Sequence, residues 1–346
     1  MSTKTAHIRA LLVACSALLA GAALLQATPT PAASGSPGSF GYPVKPFHRE
    51  HPVRGLFGDP RTVFAGPPTL ATLMNGGGTF SFHSGVDISA PNGTAVYPVA
   101  SGTVTAAEKR EDWHVLIAAG GAVTFDYWHI KPAVRVGQHV TAYRTVLGHI
   151  VRPAGHVHLA VVVGGRAVNP LAPGRLGPYT DTTRPRVESV SVRSLELGGG
   201  GLPNFVRGRV ELEAAVYDVP TRPVAGIWRD MPTAPALVTW RVESWTGKVV
   251  VPERVAVDFG SVVPSDTSFW NVYARGTFQN MAVFGPHYSY LQRGNYAFRL
   301  SARPFDTRIL RDGVYALVVT ARDIKGNSAS RSLRFTIHNR PGWVGS

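Results

Sequence analysis

The sequence contains one cysteine in 346 residues, and this residue, Cys15, lies near the N-terminus. A single cysteine excludes a disulfide within the chain, and the rest of the protein offers no thiol nucleophile for catalysis. Charged residues are also scarce, at 16% of the chain. That fraction argues against long helices exposed to solvent, whose outer face is charged and polar. The two shortages exclude cysteine chemistry and disfavour a helical fold.

Glycine and proline are frequent instead, with 37 Gly and 27 Pro spread along the chain. These residues end strands and form turns, so their distribution predicts many short strands. Hydrophobic residues make up 44% of the chain, which is enough to bury cores, and the length suits two domains. We therefore predict a mostly β protein with two domains.

Acidic residues are few, 21 against 35 Lys and Arg, so the net charge is +14 and the pI is near 10.3. This excess attracts polyanions such as wall polymers, phospholipid surfaces or nucleic acid. The basic residues are dispersed, however, and form no Lys/Arg block of the kind that binds nucleic acid. We therefore predict no nucleic-acid partner.

The N-terminus has the pattern of a secretory signal peptide. Basic residues up to Arg9 precede an apolar run over residues 10–25, and Ala- and Pro-rich sequence follows. The run is shorter than the about 20 residues of a membrane span, and no later stretch approaches that length. We expect residues 1–33 to be the signal, cleaved after Ala27 or Ala33, and the mature protein to be extracytoplasmic with no transmembrane span.

A lipid anchor is the alternative, because the run from Leu12 to Cys15 resembles a lipobox. About five apolar residues separate Arg9 from Cys15, which is fewer than the usual 7–15, and the apolar run continues beyond the cysteine. A secreted or cell-envelope protein without lipid is therefore the preferred interpretation.

A Pro/Gly/Ser-rich tether over residues 34–42 leads into a first predicted domain, 43–172. A Pro-containing linker over residues 173–186 separates it from a second domain, 187–340. Alternating hydrophobic residues predict strands in both domains. The predicted strands are Ala95–Thr105, Val115–Ala118, Ala122–Ile130, Val157–Val163, Arg207–Tyr217, Leu237–Glu243, Lys248–Ala256, Tyr296–Ala302, Tyr315–Ala321 and Ser332–His338.

The second domain ends in a strand, a tight turn and a return strand. This ending, from Gly313 through Asp323 to Gly326-Asn327, resembles the last hairpin of bacterial immunoglobulin-like domains, and we interpret Asp323…Asn327 as a turn and not as a calcium loop. We therefore expect an immunoglobulin-like β-sandwich, with an irregular insertion near residues 260–295. Its aromatic residues are interpreted as core, with a glycan-binding surface as the alternative: Trp240, Trp245, Trp270, Tyr288 and Tyr290.

Histidines concentrate in the first domain, where seven of the 12 lie between residues 83 and 158. His83 and Asp87 are four residues apart with Gly85 between them, so a turn can bring both onto one ion, and both donors suit Zn²⁺. His156 and His158 are two apart in a predicted strand and therefore share a face. Each pair alone is a weak signal, because surface histidines are common.

A third element, Phe125-Asp126-Tyr127-Trp128-His129, ends a predicted strand. Alternation places Val123, Phe125, Tyr127 and His129 on one face, with the histidine at the strand's end. By itself this pattern is typical of a histidine that caps an apolar face.

In this order and spacing, the three elements resemble the LytM/lysostaphin-type metallopeptidases of peptidase family M23, whose pattern is HxxxD, then YxH, then HxH. The stretches "HSGVDISAPNGTAVYPVASGTV", "VGQHVTAYRTVLGHI" and "HVHLAVVVGGRAVNPL" resemble the corresponding family segments, and the turn from Phe57 to Arg61 resembles its FGxR turn. The resemblance covers about residues 43–172. It implies a LytM-type antiparallel β-sheet domain.

The resemblance implies that His83, Asp87 and His158 bind one Zn²⁺ and that His129 and His156 are catalytic. It further implies a secreted zinc metalloendopeptidase that cuts stem or cross-bridge peptides of peptidoglycan, with a metal-bound water as nucleophile. One histidine would transfer the proton and the other would stabilise the oxyanion, and the sequence leaves open which does which. Peptidoglycan or another anionic wall polymer is the expected partner.

Two departures from the family pattern keep alternatives open. The loop before His156, residues 151–155, is shorter than is usual in the family, which puts the substrate in doubt. A zinc peptidase of another extracellular substrate, or a non-catalytic protein that binds the wall or regulates amidases, remains possible. Arg144-Thr145 stands where the family commonly has glycine, which we interpret as a turn variant. The remaining histidines of the window are expected at the surface: His114, His139 and His149.

Overall fold

The structure is a computed structural model that describes residues 37–63, 78–108, 113–196, 204–280 and 293–340. The predicted signal peptide, Cys15 and its lipobox lie outside these residues, as do Tyr288 and Tyr290. Within them the chain is built mainly of antiparallel strands in several sheets, which confirms the predicted mostly β fold. None of the described residues forms a helix long and apolar enough to cross a membrane.

Before the linker the described residues form thirteen strands, and eight of these form one sheet in the order β1-β4-β12-β8-β7-β6-β10, with β13 paired to β12. A three-stranded sheet, β5-β11-β9, and the pair β2-β3 complete this half. The strands are β1 (Val53–Gly55), β2 (Pro60–Val63), β3 (Thr79–Phe82), β4 (Gly85–Ser89), β5 (Ala95–Val96), β6 (Gly102–Glu108), β7 (His114–Gly120), β8 (Val123–Trp128), β9 (Ile130–Pro132), β10 (His139–Val140), β11 (Gly148–Ile150), β12 (His156–Val163) and β13 (Arg166–Val168).

Strand β12 lies inside the large sheet, between β4 and β8. Its six residues from His156 to Val161 are all buried, because sheet neighbours flank it on both sides and its inner side chains pack in the core. Strand β8 alternates instead, with Val123, Phe125 and Tyr127 buried in that core. The histidines of β12 therefore occupy a fixed, central position.

The single strand predicted over Ala95–Thr105 is wrong, because the structure contains two strands, β5 and β6, with a turn between them. Pro98 lies in this turn. Proline has no N–H to donate to a ladder and is therefore excluded from a strand interior. The Tyr97 N–H instead donates to the Pro43 carbonyl at 2.8 Å, and the Pro98 carbonyl accepts from Tyr143.

The second half forms two sheets that face each other across one hydrophobic core. One has the order β14-β16-β19, with β20 paired to β16, and the other has the order β15-β22-β21-β17-β18. Strand β15 runs parallel to β22, and the other pairs are antiparallel. The strands are β14 (Arg186–Ser194), β15 (Phe205–Val206), β16 (Arg209–Tyr217), β17 (Leu237–Ser244), β18 (Val249–Asp258), β19 (Ala297–Arg299), β20 (Phe305–Asp306), β21 (Gly313–Arg322) and β22 (Ser328–Ile337).

The stretch interpreted as an insertion contains a 3-10 turn, Asp266–Ser268, and a short helix, α1 (Phe269–Val272). This helix packs against the β2–β3 pair of the first half: the Phe80 ring lies 5.4 Å from Phe269, and the Phe82 ring 5.3 Å from it. The core of the sandwich therefore includes side chains that precede the linker, and the two halves are joined by buried contacts.

Candidate metal and catalytic site

Strand register brings together the two segments that carry the predicted ligands. Asp87 of β4 is paired directly with His158 of β12, so their side chains point to the same face. His83 lies just before β4, and Gly85 separates the two ligands of that segment. A Cβ at Gly85 would stand 2.4 Å from the Leu159 carbonyl oxygen and 2.8 Å from the His158 ring. Glycine is therefore required where β4 passes under the His158 imidazole.

The three predicted ligands converge on one point. His83 Nε2 lies 2.7 Å from His158 Nδ1 and 3.0 Å from Asp87 Oδ1, and His158 Nδ1 lies 3.2 Å from the same carboxylate oxygen. All three residues are nearly buried, at 3–9% exposure. Two nitrogens and one oxygen in this arrangement can hold a single metal ion.

The protonation of His83 shows that a cation fits this cluster. His83 Nδ1 donates to the Leu56 carbonyl at 2.8 Å. Burial, above all, lowers the pKa of the His83 imidazole to about 3, so the ring is neutral and Nε2 carries a lone pair. That lone pair faces the Asp87 carboxylate. Two lone pairs in contact repel unless a cation lies between them, and a His₂Asp donor set suits zinc.

The second oxygen of Asp87 is held by arginine. Arg61 Nη2 donates to Asp87 Oδ2 at 2.7 Å, and Gly55 leaves room for both groups. Burial by itself would raise the pKa of Asp87, but His83, His156 and Arg61 outweigh it and hold that pKa well below its usual range. The carboxylate is therefore ionised, with one oxygen turned to the ligand cluster.

Arg61 belongs to the turn that the sequence identified only by resemblance, without a role for its side chain. Asp59 of the same turn is buried and accepts from the Leu56 amide at 3.0 Å and from the Ala234 amide at 2.6 Å. Burial raises the pKa of Asp59 to about 7. This turn positions both the Leu56 carbonyl that orients His83 and the arginine that orients Asp87.

The two predicted catalytic histidines lie beside the ligand cluster. His156 Nε2 is 3.5 Å from Asp87 Oδ1, and the His156 and His129 rings are tilted against each other with centroids 4.5 Å apart. Burial lowers the pKa of His129 to about 3, and it also lowers that of His156 despite the opposing charge of Asp87. Both imidazoles are thus neutral near pH 7 and able to accept a proton.

The alternation that placed His129 on the same face as Tyr127 is wrong. His129 has a φ of 65°, in the left-handed region that few non-glycine residues adopt. This conformation ends β8 and directs the imidazole to His156, whereas the Tyr127 ring points into the core. Strained backbone of this kind is often found at functional sites.

The sequence model of peptidase family M23 matches residues 81–170, a range that contains all three ligands and both flanking histidines. The segment 81–170 is thus similar to peptidase family M23. No curated protein matches the chain.

Several solved structures are similar to the M23 segment. A zinc-containing peptidase from Vibrio cholerae has 25% identity and a TM-score of 0.30, over 38% of this chain and 39% of that chain. A putative M23 peptidase from Pseudomonas aeruginosa has 22% identity and a TM-score of 0.27, over 39% and 50%. The catalytic domain of the prophage-encoded M23 protein EnpA from Enterococcus faecalis, a mutant form, has 22% identity and a TM-score of 0.26, over 37% and 95%. The match thus spans about two fifths of the Vibrio cholerae protein.

Trp228, in the second half of the protein, packs against an arginine next to the M23 site. Arg54 of β1 places Nη2 2.7 Å from His156 Nδ1, and its guanidinium stacks on the Trp228 ring, 4.0 Å from the centroid. Trp228 lies in a 3-10 turn between β16 and β17. A pocket beside the site is lined by Arg54, Trp228 and neighbouring residues of segment 219–233. The sequence offered no signal for this pairing, because its partners are 174 positions apart.

Arg54 and the loop before His156 favour opposite tautomers of the histidine. An arginine N–H can only donate, so Arg54 requires Nδ1 of His156 to accept. The Ala154 carbonyl lies 2.8 Å from the same nitrogen and would require it to donate. The balance between these two contacts decides whether Nε2, the nitrogen nearer the M23 ligands, is a proton donor or an acceptor.

Among the described residues, the other histidines and aromatic residues that the sequence singled out donate no atom to the ligand cluster. His139 and His149 are exposed, whereas His114 stacks on Trp128 with centroids 4.5 Å apart. Trp240 is buried in the sandwich core, and Trp270 packs partly buried against Phe80. Trp245 is 76% exposed.

Proposed function

We propose that this protein is a secreted zinc metalloendopeptidase that hydrolyses peptide bonds in the stem or cross-bridge peptides of bacterial peptidoglycan. The observation that carries the proposal is the convergence of His83 Nε2, Asp87 Oδ1 and His158 Nδ1, with two neutral histidines beside them, in a segment of a peptidase family.

His83, Asp87 and His158 would hold the zinc ion, and three protein donors are typical of a catalytic zinc site that leaves a position open. A bound zinc ion supplies Lewis acidity toward the scissile carbonyl and makes water more acidic. Arg61 orients Asp87, and the Leu56 carbonyl orients His83. Such partners hold the ligands in place before any substrate binds.

His129 and His156 are assigned the proton transfer and the stabilisation of the oxyanion. One imidazole accepts a proton from the attacking water and returns it to the leaving amine, while the other donates to the oxygen that becomes negative. If Arg54 sets the tautomer of His156, Nε2 of that residue carries the proton and acts as the donor. His129 is then the base.

The wall is proposed as substrate on grounds of charge and export. A net charge of +14 favours binding to anionic wall polymers, and the signal-like N-terminus is consistent with a protein that works outside the cytoplasm. The strand order of the second half, with β14-β16-β19 facing β15-β22-β21-β17-β18, supports an immunoglobulin-like sandwich. We infer that this sandwich supports the peptidase segment.

The proposal is tested by mass spectrometry of fragments released from purified peptidoglycans with different cross-bridges. The zinc-loaded protein is expected to release peptides with new amino termini at one type of bond, and Asp87→Ala to release none. Release from no wall, combined with stoichiometric zinc, would favour a non-catalytic wall-binding protein. Cleavage of a general peptide library but of no wall would assign another extracellular substrate, which the short loop before His156 allows.

A further inference from the structure

A cluster of three carboxylates lies outside the M23 site, at the junction between linker and sandwich. Asp181 is in the linker, Asp218 follows β16, and Asp323 follows β21. One oxygen from each lies within 4.8 Å of the others, and all three residues are buried. These strands belong to opposite sheets, so the cluster joins the linker to both layers of the sandwich.

Two of the three side chains have well-defined polar contacts. Asp181 accepts from the Thr183 amide, the Thr221 hydroxyl and the Tyr179 hydroxyl. Asp323 accepts from the amides of Lys325 and Asn327 and from the Asn327 side chain, as expected of the predicted turn. These contacts fix the direction of both carboxylates.

Asp218 differs from its neighbours. It is fully buried, its Oδ1 accepts only from the Val219 amide, and its Oδ2 has no hydrogen-bond partner among the described residues. The charged groups that act most strongly on it are all acidic, namely Asp181, Asp323 and Asp59. A buried carboxylate oxygen without a partner is costly, and two further carboxylates beside it increase that cost.

We propose that Asp181, Asp218 and Asp323 bind a divalent cation, Ca²⁺, which ties the linker to the sandwich. The donors are all carboxylate oxygens, which suit a hard cation and not zinc. Two oxygens at roughly 2.3–2.6 Å from one calcium ion lie at most about 5 Å apart, and the observed spread satisfies this limit. Water supplies the remaining ligands from the adjoining pocket, which Tyr179, Asp218 and Asp323 help to line.

Burial and the neighbouring carboxylates raise the pKa of Asp218 to about 8. The competing state is therefore one in which a proton, not a cation, relieves the repulsion. In that state the stability of the protein does not depend on calcium. The two states are distinguishable by adding the metal alone.

The test measures thermal unfolding of the full-length, zinc-loaded protein, freed of calcium and then titrated with Ca²⁺ or Mg²⁺ at constant zinc. At a calcium concentration a hundredfold above Kd, Tm is expected to rise by about 5 °C. Magnesium is expected to have a smaller effect, because it requires shorter distances and stricter geometry. Terbium, as a calcium substitute near Tyr179, is expected to emit on excitation of the protein and to be displaced by calcium.

Asp218→Asn keeps the size of the side chain but needs neither a proton nor a cation to be neutral, so its Tm without calcium is expected to equal or exceed that of the unchanged protein, and the calcium-dependent rise is lost. Asp258→Asn, at an exposed position of β18, is the matched control and retains the rise. A calcium-insensitive Tm in the unchanged protein, or a rise that survives Asp218→Asn, overturns the proposal. If Asp218→Asn fails to fold, the absence of binding heat on calorimetric titration of the unchanged protein with calcium overturns it equally.

Discussion

At the scale of single residues, His129 and His156 border the ligand cluster but donate no atom to it. We expect His129→Ala and His156→Ala each to lower kcat by about a hundredfold or more, the usual range for loss of acid–base catalysis. Zinc content should stay near one per chain, because His83, Asp87 and His158 are unchanged. Elemental analysis and wall-release assays measure the two effects separately.

Asp87→Ala is the contrasting variant, because it removes a ligand and one of the two carboxylates that pair with Arg61. We expect loss of both zinc and activity. If the two histidine variants lost zinc as completely as Asp87→Ala, their assignment as catalytic groups would be wrong. Wild-type activity in all three variants would contradict the entire site.

Gly85 illustrates a residue whose importance lies in having no side chain. A Cβ there would contact both the Leu159 carbonyl and the His158 ring. We expect Gly85→Ala to destabilise the protein by about 1–3 kcal/mol, the range for overpacking, and to weaken zinc binding. Denaturant unfolding and competition with a zinc chelator measure these effects.

Gly93→Ala is the control for Gly85→Ala. Gly93 has a φ of 83° and no atom within 4 Å of an added Cβ, so only the backbone preference is lost, about 1 kcal/mol. Zinc affinity should not change. Equal zinc affinity in both alanine variants would show that β4 and β12 can separate without disturbing His158.

At the scale of elements, strand β1 and the turn from Gly226 to Trp228 act on the site through Arg54. Stacking on Trp228 holds the guanidinium against His156 and is worth about 1 kcal/mol. We expect Trp228→Ala to lower kcat by about fivefold, the change in rate that corresponds to this energy, and Arg54→Ala to lower it further. KM and zinc content should change little.

Arg54→Lys distinguishes charge from geometry, because lysine keeps the charge but lacks the planar group that stacks and donates in a fixed direction. It should resemble Arg54→Ala. Trp245→Ala removes an exposed tryptophan from the same sandwich and serves as the matched control. Unchanged kcat in Trp228→Ala and Arg54→Ala would show that the second half does not influence the chemistry.

At the scale of the whole molecule, the β2–β3 pair connects the two halves. Phe57, Phe80 and Phe82 precede the linker but belong to the core of the sandwich, and the Tyr273 hydroxyl donates to the Gly58 carbonyl at 2.7 Å. Burial of each phenylalanine contributes about 2 kcal/mol. The stability of the M23 segment therefore depends on the sandwich.

We expect a fragment of residues 37–172 to have a lower Tm than the full chain, to bind a hydrophobic dye and to associate. In the fragment, Asp59 loses the hydrogen bond from the Ala234 amide, and Phe57, Phe80 and Phe82 become exposed. Replacing Phe80 and Phe82 with serine in the fragment should reduce dye binding. A monomeric fragment as stable and as active as the full chain would contradict this dependence.

The sequence by itself determined the mostly β class, several of the strands and, through a family resemblance, the members of the ligand cluster. An alternation of hydrophobic and polar residues predicts a strand, because every second side chain enters the core. The predicted strand Val157–Val163 lies within the observed β12, His156–Val163. The resemblance of the order HxxxD, YxH, HxH to family M23 indicated the five residues that the structure places together. Alternation failed at His129, where a positive φ reverses the side chain.

Only the tertiary structure decided what surrounds that site. The contacts of Arg54 with His156 and Trp228, and of Asp59 with Ala234, join residues that are more than 100 positions apart and carry no periodic signal. The same holds for Asp181, Asp218 and Asp323, of which only Asp323 lay in a predicted turn. Hydrophobic patterning specifies which face of a strand is buried but not which partner buries it, so the joining of the two halves emerged only from the fold.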